Sequence, residues 1–272
     1  MSRRIALAAL SLALLACRSA APKSGPATLR VLVYNIHAGA DRAGAPALDR
    51  VARVIRESGA DVVLLQEVDS VVLRSGRVDQ VAVLDSLTGF HGAFGRSLEY
   101  QGGGYGIAIL SRWPVLARRT IRLPVEPPQE RAGGSREPRS ALHVTLGVPM
   151  VGELAVLNTH LDPARADSTR LQEIATLLRL AGELREGGAL VLLGGDLNST
   201  PESETQRRVR DAGWLDAWTS CGVGTDSLTW PDSAPRKRID YLYLGPRLRC
   251  GEARVLTSDA SDHRPLLVTV QR

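Results

Sequence analysis

Apolar runs of strand length recur along this chain, and several end in polar residues that such runs seldom tolerate. Residues 28–36 read as a strand closing in Tyr34, Asn35 and Ile36, just before His37 and Gly39. Within 47–58, Leu48, Val51, Ala52, Val54 and Ile55 fall at helical spacing, and Gly59 suits the stop. Residues 61–68 form a second buried strand with Gln66 and Glu67 at its C-terminal end, and 79–88 fits a short helix. The glycine-rich stretch 102–106 reads as a turn leading into a strand over 107–112, and a strand pattern returns over 115–123. Residues 124–138, with four prolines, two glycines and no period, form a long loop of the kind that is usually functional or disordered.

The second half repeats the theme. Residues 139–148 and 152–162 read as a strand pair, the latter finishing in Leu157-Asn158-Thr159-His160-Leu161-Asp162. The clearest helix is 168–185, with Leu171, Ile174, Ala175, Leu177 and Leu178 on one face. An apolar run from Leu190 then ends in Gly194-Gly195-Asp196-Leu197-Asn198. If that strand persists through Leu197, Asp196 and Asn198 share a face, and the two glycines keep bulk away from it. A polar helix over 202–212, mixed loop over 214–230 and strands over 238–244 and 253–257 follow. Ser261-Asp262-His263-Arg264-Pro265 leads into a closing strand over 266–270. No repeat and no internal linker breaks the pattern, so residues 28–272 read as one domain.

The first 27 residues stand apart. Arg3-Arg4 and the apolar run from Ile5 to Ala16 read as a secretory signal, too short for a comfortable membrane span. Leu14-Leu15-Ala16-Cys17 resembles the bacterial lipoprotein cleavage site, which implies that Cys17 becomes a lipidated N-terminus. Residues 17–27 are then a lipidated cysteine and its tether, and the expectation is an exported envelope protein held to a membrane by that lipid.

Composition adds limits rather than a name. A chain of 272 residues, 44% hydrophobic, can bury a full core. The net charge of +5, lowered by two when Arg3 and Arg4 are removed, is too mild to argue for nucleic acid. With Cys17 lipidated, Cys221 and Cys250 remain as an even pair in an oxidising compartment, where a disulfide is permitted. No Gly-x-Ser-x-Gly elbow is present, and Gly102-Gly103-Gly104-Tyr105-Gly106 lacks the Lys-Ser/Thr of a phosphate loop.

The polar strand ends carry the chemistry: Asn35, Glu67, His160, Asp196 with Asn198, Asp240, and Asp262 with His263. Strand ends of one sheet lie together, so these groups can converge on one pocket. Carboxylates, amides and two histidines without a nearby cysteine suit Mg²⁺ or Mn²⁺ better than structural zinc. Metal-assisted attack of water on a phosphate ester is the matching reaction class.

The order of motifs resembles that of the endonuclease/exonuclease/phosphatase superfamily, whose fold is that of pancreatic deoxyribonuclease. Tyr34-Asn35-Ile36, Leu65-Gln66-Glu67-Val68, Ala108-Ile109-Leu110-Ser111-Arg112, Asn158-Thr159-His160-Leu161, Gly195-Asp196-Leu197-Asn198, Arg238-Ile239-Asp240-Tyr241 and Ser261-Asp262-His263-Arg264-Pro265 carry the likeness. It implies a four-layer α/β sandwich: two packed sheets, mostly antiparallel or mixed, flanked by helices. It also implies Glu67 as principal metal ligand, Asn35 beside it near metal and phosphate, and Asp262 reaching the metal directly or through water. Asp196 and Asn198 would orient water and hold phosphate, His160 would donate to a phosphate oxygen, and Asp240 would fix a histidine ring. His263 is the other active-site imidazole, and the base is Asp196 or His263. Arg139 stands where relatives place a phosphate-contacting arginine, with Arg136 competing. Ile107 replaces an asparagine of many relatives, Asp162 reads as a loop acid, His37 as pocket wall or surface, and Tyr105 as a structural aromatic.

The resulting expectation is a Mg²⁺- or Mn²⁺-dependent phosphodiesterase acting on a lipid headgroup, nucleotide or other small ester. A nuclease acting on DNA or RNA is the alternative within the class, and a non-catalytic envelope binding protein the alternative outside it. Nothing in the sequence marks a protein partner.

Overall fold

The computed structural model describes residues 27–129, 132 and 134–272. The expected signal sequence, Cys17 and all but the last residue of the tether lie outside the described residues. In chain order the elements are β1 (Thr28–Asn35), α1 (Leu48–Ser58), β2 (Val62–Ser70), α2 (Gln80–Thr88), β3 (His91–Tyr100) and β4 (Gly103–Ser111). After these come β5 (Val115–Arg122), β6 (Ser140–Val148), β7 (Gly152–His160), α3 (Ser168–Glu186), β8 (Leu190–Asp196) and α4 (Glu204–Asp211). The last five are β9 (Leu215–Asp216), α5 (Ala217–Cys221), β10 (Asp240–Leu244), β11 (Arg249–Val255) and β12 (Leu266–Gln271).

Among the described residues, twelve strands make two six-stranded sheets, ordered β11-β12-β1-β2-β4-β3 and β5-β6-β7-β8-β10-β9. Each sheet has one parallel pair at its centre, β1 with β2 and β7 with β8, and every other neighbour is antiparallel. A parallel pair needs a crossover, and α1 and α3 supply the two. α1 stops at Gly59, left-handed at φ 63°, and α2 begins at Asp79, whose carboxylate accepts from the Ala82 N–H.

Alternation sorts each strand into two faces. Leu29, Val31 and Val33 of β1 pack with Leu154 and Val156 of β7 and Leu190 and Leu192 of β8 in the core between the sheets. Leu32 and Tyr34 point the other way and pack with Val51, Ala52 and Ile55 of α1. Leu157 of β7 and Val191 and Leu193 of β8 meet Ile174 and Leu177 of α3 on the far side. The result is helix, sheet, sheet, helix: the expected four-layer sandwich.

Several local expectations are corrected. The sequence pattern predicts no element over 91–100, where β3 lies: His-Gly-Ala-Phe-Gly-Arg-Ser-Leu-Glu-Tyr has little alternation, and among the described residues the strand sits at a sheet edge paired only to β4. Gly103, Gly104 and Gly106 belong to β4 rather than to a turn; a Cβ on Gly106 would lie 2.1 Å from the Gly95 carbonyl oxygen. Ala175 is exposed on α3, whereas Arg170 and Glu173 are buried, because they hold the loop after β7. Within the loop predicted over 214–230 lie β9 and α5. Strand β8 stops at Asp196, so the premise that Asp196 and Asn198 share a strand face fails; Asn198 is left-handed at φ 47°.

Candidate active site

The inward-facing rows of four strands run out into polar residues at the same end of the sandwich. Val31 and Val33 are followed at the next inward position by Asn35, Leu154 and Val156 by Asn158 and then His160, Leu190 and Leu192 by Gly194 and Asp196. Asp240 opens β10 directly opposite Asp196, on the same side as the inward Leu242 and Leu244. The turn before β12 brings Asp262 and His263 to this end, because β12 runs antiparallel to β1.

Glu67 arrives differently. Val63, Leu65 and Val68 all pack under the helices on the outer face, so a regular strand would send Glu67 there with Leu65. Instead β2 carries a bulge: Leu65 pairs with Ala108 and Val68 with Gly106, leaving Gln66 and Glu67 opposite Ile107 alone. With Glu67 at φ 54°, its carboxylate turns into the pocket.

The groups meet on one carboxylate oxygen. Asp196 Oδ2 accepts from Asn35 Nδ2 at 3.1 Å and lies 3.5 Å from His160 Nε2 and 3.7 Å from His263 Nε2. Asn35 Nδ2 also reaches Glu67 Oε1 at 3.1 Å, and Asn35 Oδ1 accepts from the His37 N–H. On its far side His263 Nδ1 contacts Asp240 Oδ2 at 3.0 Å, which aims Nε2 at the pocket. Asn198 donates its side-chain N–H to the Leu161 carbonyl, and its backbone N–H to Asp196 Oδ1. Asp262 Oδ2 accepts from the Trp230 indole N–H at 3.1 Å.

Asn35, His160, Asp196, Asp240 and His263 are almost wholly buried, whereas Glu67, Asn198 and Asp262 are half-buried, and burial acts on the charges of the buried histidines and Asp196. It pushes His160 well below the ordinary imidazole range, with Arg139 and His263 acting the same way, so His160 is neutral at pH 7. Burial, joined by the Asp240 carboxylate, pushes Asp196 upward. His263 is raised: burial opposes its charge, but Asp240 and Asp196 outweigh that.

The pocket is a cleft of about 640 Å³. Glu67, Tyr105, Arg139, His160, Asp196, Asn198, Asp262 and His263 line one part of it. Arg139 is buried against Glu137 at 3.1 Å, while its Nε has no partner among the described residues. Arg136 is exposed and offers its backbone N–H to Asp162, which is a buried loop acid. Ile107 packs in the inter-sheet core, and His37 is half-buried outside the pocket lining. Tyr105 is buried, its ring 5.0 Å from the Arg74 guanidinium. Cys221 and Cys250 are joined as a disulfide.

Three contributors were not singled out from sequence. Trp230 and Lys237 line the cleft, the lysine amine 5.4 Å from the ring centre. Asn158 stands within the motif Asn158-Thr159-His160-Leu161, and its inward position in the row Leu154, Val156, Asn158, His160 is the signal that marks it.

Fold and strand order define the deoxyribonuclease-like class of α/β sandwich. The chain belongs to the Endonuclease/Exonuclease/phosphatase family, whose family model matches residues 32–263. Members of that family hydrolyse phosphate esters and include phosphatases, nucleases and phosphodiesterases. The uncharacterized protein YbhP of Escherichia coli is 27% identical over 226 residues, covering 80% of this chain and 85% of that one. Among solved structures, a mannosyl-6-phosphatase from Bacteroides thetaiotaomicron superposes with TM-score 0.73 at 18% identity, covering 90% of this chain and 100% of that one. The catalytic domain of human Nocturnin, with a bound sulfate, superposes at 0.69 and 21% identity, covering 90% and 94%. At these identities the two structures show the fold.

Proposed function

We propose that this chain is a Mg²⁺- or Mn²⁺-dependent phosphodiesterase for a small phosphate ester. The observation that carries the reading is the convergence on Asp196 Oδ2 of Asn35, His160 and His263, with Asp240 behind His263.

The donor set suits a hard divalent cation: Glu67 and Asp262 offer carboxylates to the cleft, the Asn35 amide lies directly behind Glu67, and among the described residues no cysteine lines it. Glu67, Asp262 and Asn35 would hold the ion, which supplies charge neutralisation at the phosphoryl oxygens and a lowered pKa for water. Asp196 is the base in this reading. It receives the proton of the attacking water as the oxygen–phosphorus bond forms and the bond to the leaving oxygen breaks. Asn198 and the neutral His160 orient water and phosphate as hydrogen-bond donors. His263, charged through Asp240, stabilises the negative charge that grows on the phosphoryl group. Arg139 has a spare Nε–H for a phosphate oxygen.

The cleft extends past these groups to Pro163, Arg165, Ser203, Trp230 and Lys237, leaving room for a substituent beyond the phosphate, as a diester needs. A nucleic-acid track would favour successive aromatic platforms along a basic groove, but among the described residues the lining holds two aromatics, one of them buried. A small ester is therefore favoured over DNA or RNA. An exported, lipid-anchored form is part of the proposal, supported by the Cys221–Cys250 bond, which suits an oxidising compartment. A Cys17→Ser substitution that leaves the protein in the membrane fraction would count against the anchor.

The central test is hydrolysis of bis-p-nitrophenyl phosphate, followed by a panel of nucleotides, phospholipid headgroup esters, inositol phosphates, DNA and RNA. Turnover is expected with Mg²⁺ and absent in EDTA, and Asp196→Ala or His263→Ala should lower kcat by about 10²–10⁴-fold or more. Turnover that persists in EDTA and in both variants overturns the reading.

A further inference from the structure

The bulge that aims Glu67 is gripped from the opposite sheet. Asn158, on β7, is fully buried between the sheets in a row otherwise filled by Leu154 and Val156. Its Nδ2 donates at 2.8 Å to the Leu65 carbonyl and at 2.8 Å to the Ala108 carbonyl. Leu65 and Ala108 are the last residues of β2 and β4 paired before the register breaks. One amide nitrogen thus spans both lips of the bulge. Its Oδ1 accepts from Gln66 Nε2 at 2.7 Å, and Gln66 is the first of the two residues that crowd opposite Ile107. Gln66 Nε2 also reaches the Leu64 carbonyl at 3.2 Å.

Among the described residues, every side-chain hydrogen bond of Asn158 therefore ends on the strand pair that forms the bulge, and none on its own sheet. A buried amide in an apolar interior is unfavourable unless all its groups are matched, and a leucine at 158 would simply extend the core row. The amide also sits two residues before His160 on the same strand face. Through it the wall that carries His160 is set against the wall that carries Glu67.

We infer that Asn158, together with Gln66, is a positioning pair for Glu67: the cross-sheet clasp holds the β2 bulge open so that the carboxylate faces the pocket. The inference rests on the reading of Glu67 as a metal ligand. A left-handed, non-glycine backbone at Glu67 persists only where its surroundings over-determine it, and the clasp is what stands next to it. Residues that orient a metal ligand typically change metal affinity by about 10–100-fold when removed.

The test measures Mn²⁺ binding directly, by electron paramagnetic resonance of the free ion and by calorimetry. It uses the full-length chain and its Glu67→Gln, Asn158→Leu, Gln66→Met and Val209→Ala variants. Val209 packs on the outer face of the second sheet, so its variant controls for general loosening. Urea titration and circular dichroism establish that each is folded. Wild-type protein is expected to bind, Glu67→Gln to lose binding, and both clasp variants to raise Kd about 10–100-fold, with kcat recovering at saturating metal. If Asn158→Leu does not fold, the near-isosteric Gln66→Met decides the same question. Folded clasp variants with wild-type Kd, or a Val209→Ala shift of equal size, overturn the inference while leaving Glu67 as ligand. Should wild type bind no Mn²⁺, or Glu67→Gln bind as tightly as wild type, the metal reading itself fails and the clasp inference falls with it.

Discussion

Among the described glycines, Gly195 leaves a side chain the least room. Its φ is +136°, and a Cβ built there would stand 1.9 Å from the Thr159 carbonyl oxygen. That oxygen is backbone in a central strand, so it cannot swing aside as a flexible side chain would. Thr159 and Gly195 are register partners, and the next pair along is His160 with Asp196. The close approach of β7 and β8 therefore sets the 3.5 Å separation between His160 Nε2 and Asp196 Oδ2. Gly195→Ala should destabilise the fold by at least about 3 kcal/mol, and urea unfolding is the measurement. A loss under about 1 kcal/mol, within the ordinary range for point substitutions, would mean the two strands can part without cost.

At the scale of elements, α3 shows how a helix fixes a loop beside the cleft. Glu173 Oε2 accepts from the Asp162 N–H at 2.9 Å, and Arg170 donates to the Asp162 carbonyl at 2.7 Å, so the loop leaving His160 is fixed from the helix. Burial raises Glu173 to about 7; the hydrogen bond from the Asp162 N–H and the charges of Arg139 and Arg170 oppose this, and the Asp162 carboxylate adds to it. The folded state thus favours the protonated acid. Its stabilising contribution is complete below about pH 4.5, the ordinary value, and is lost as pH rises through 7. Glu173→Gln should remove this dependence: its stability relative to wild type should rise by about 2–3 kcal/mol from pH 4.5 to pH 8. Urea titrations at the two pH values check it, and a constant difference would contradict it. The same helix marks what periodicity conceals. Apolar spacing placed Ala175 inward, whereas the inward positions include Arg170 and Glu173, because hydrogen bonds to a loop outweighed hydrophobic pattern there. Polar strand ends such as Asn35, His160 and Asp196 were legible because alternation extends an apolar row to its last residue. The bulge that turns Glu67 was not, since an extra residue in one strand is defined only against its partner. Nor was the Asn158 clasp, which joins strands of different sheets.

Taken whole, the molecule is two half-sandwiches whose central parallel pairs point their C-terminal ends at one pocket, and a lateral seam between the sheets is closed by α5 and a disulfide. β11 ends one sheet and β9 ends the other, and α5, following β9, lies against β11. There Cys221 is bonded to Cys250 across 29 residues, beside a parallel bridge between Gly222 and Ala253. The segment 222–237 leaves this staple and brings Trp230 to Asp262, but its far end is held separately. The Asp232 N–H reaches the Asp262 carbonyl, the Arg264 N–H reaches the Thr229 carbonyl, and Trp230 pairs with Lys237. The candidate catalytic groups sit on the ladders of β1, β2, β7, β8 and β10 and on the turn before β12; β12 pairs with β11, but Cys250 faces Val270 at the far end of that strand from Asp262 and His263. Breaking the bond should therefore separate stability from activity. On the chain-entropy model, a loop of this length loses about 3–4 kcal/mol of unfolding free energy when opened. The Cys221→Ser, Cys250→Ser double variant, and wild type in reductant, should show that loss in urea. Their kcat on a phosphodiester at 25 °C should stay within about threefold of the oxidised protein, because a factor of three is under 1 kcal/mol in the barrier. A fall in kcat that tracks the stability loss would instead mean that the seam and the pocket move as one unit.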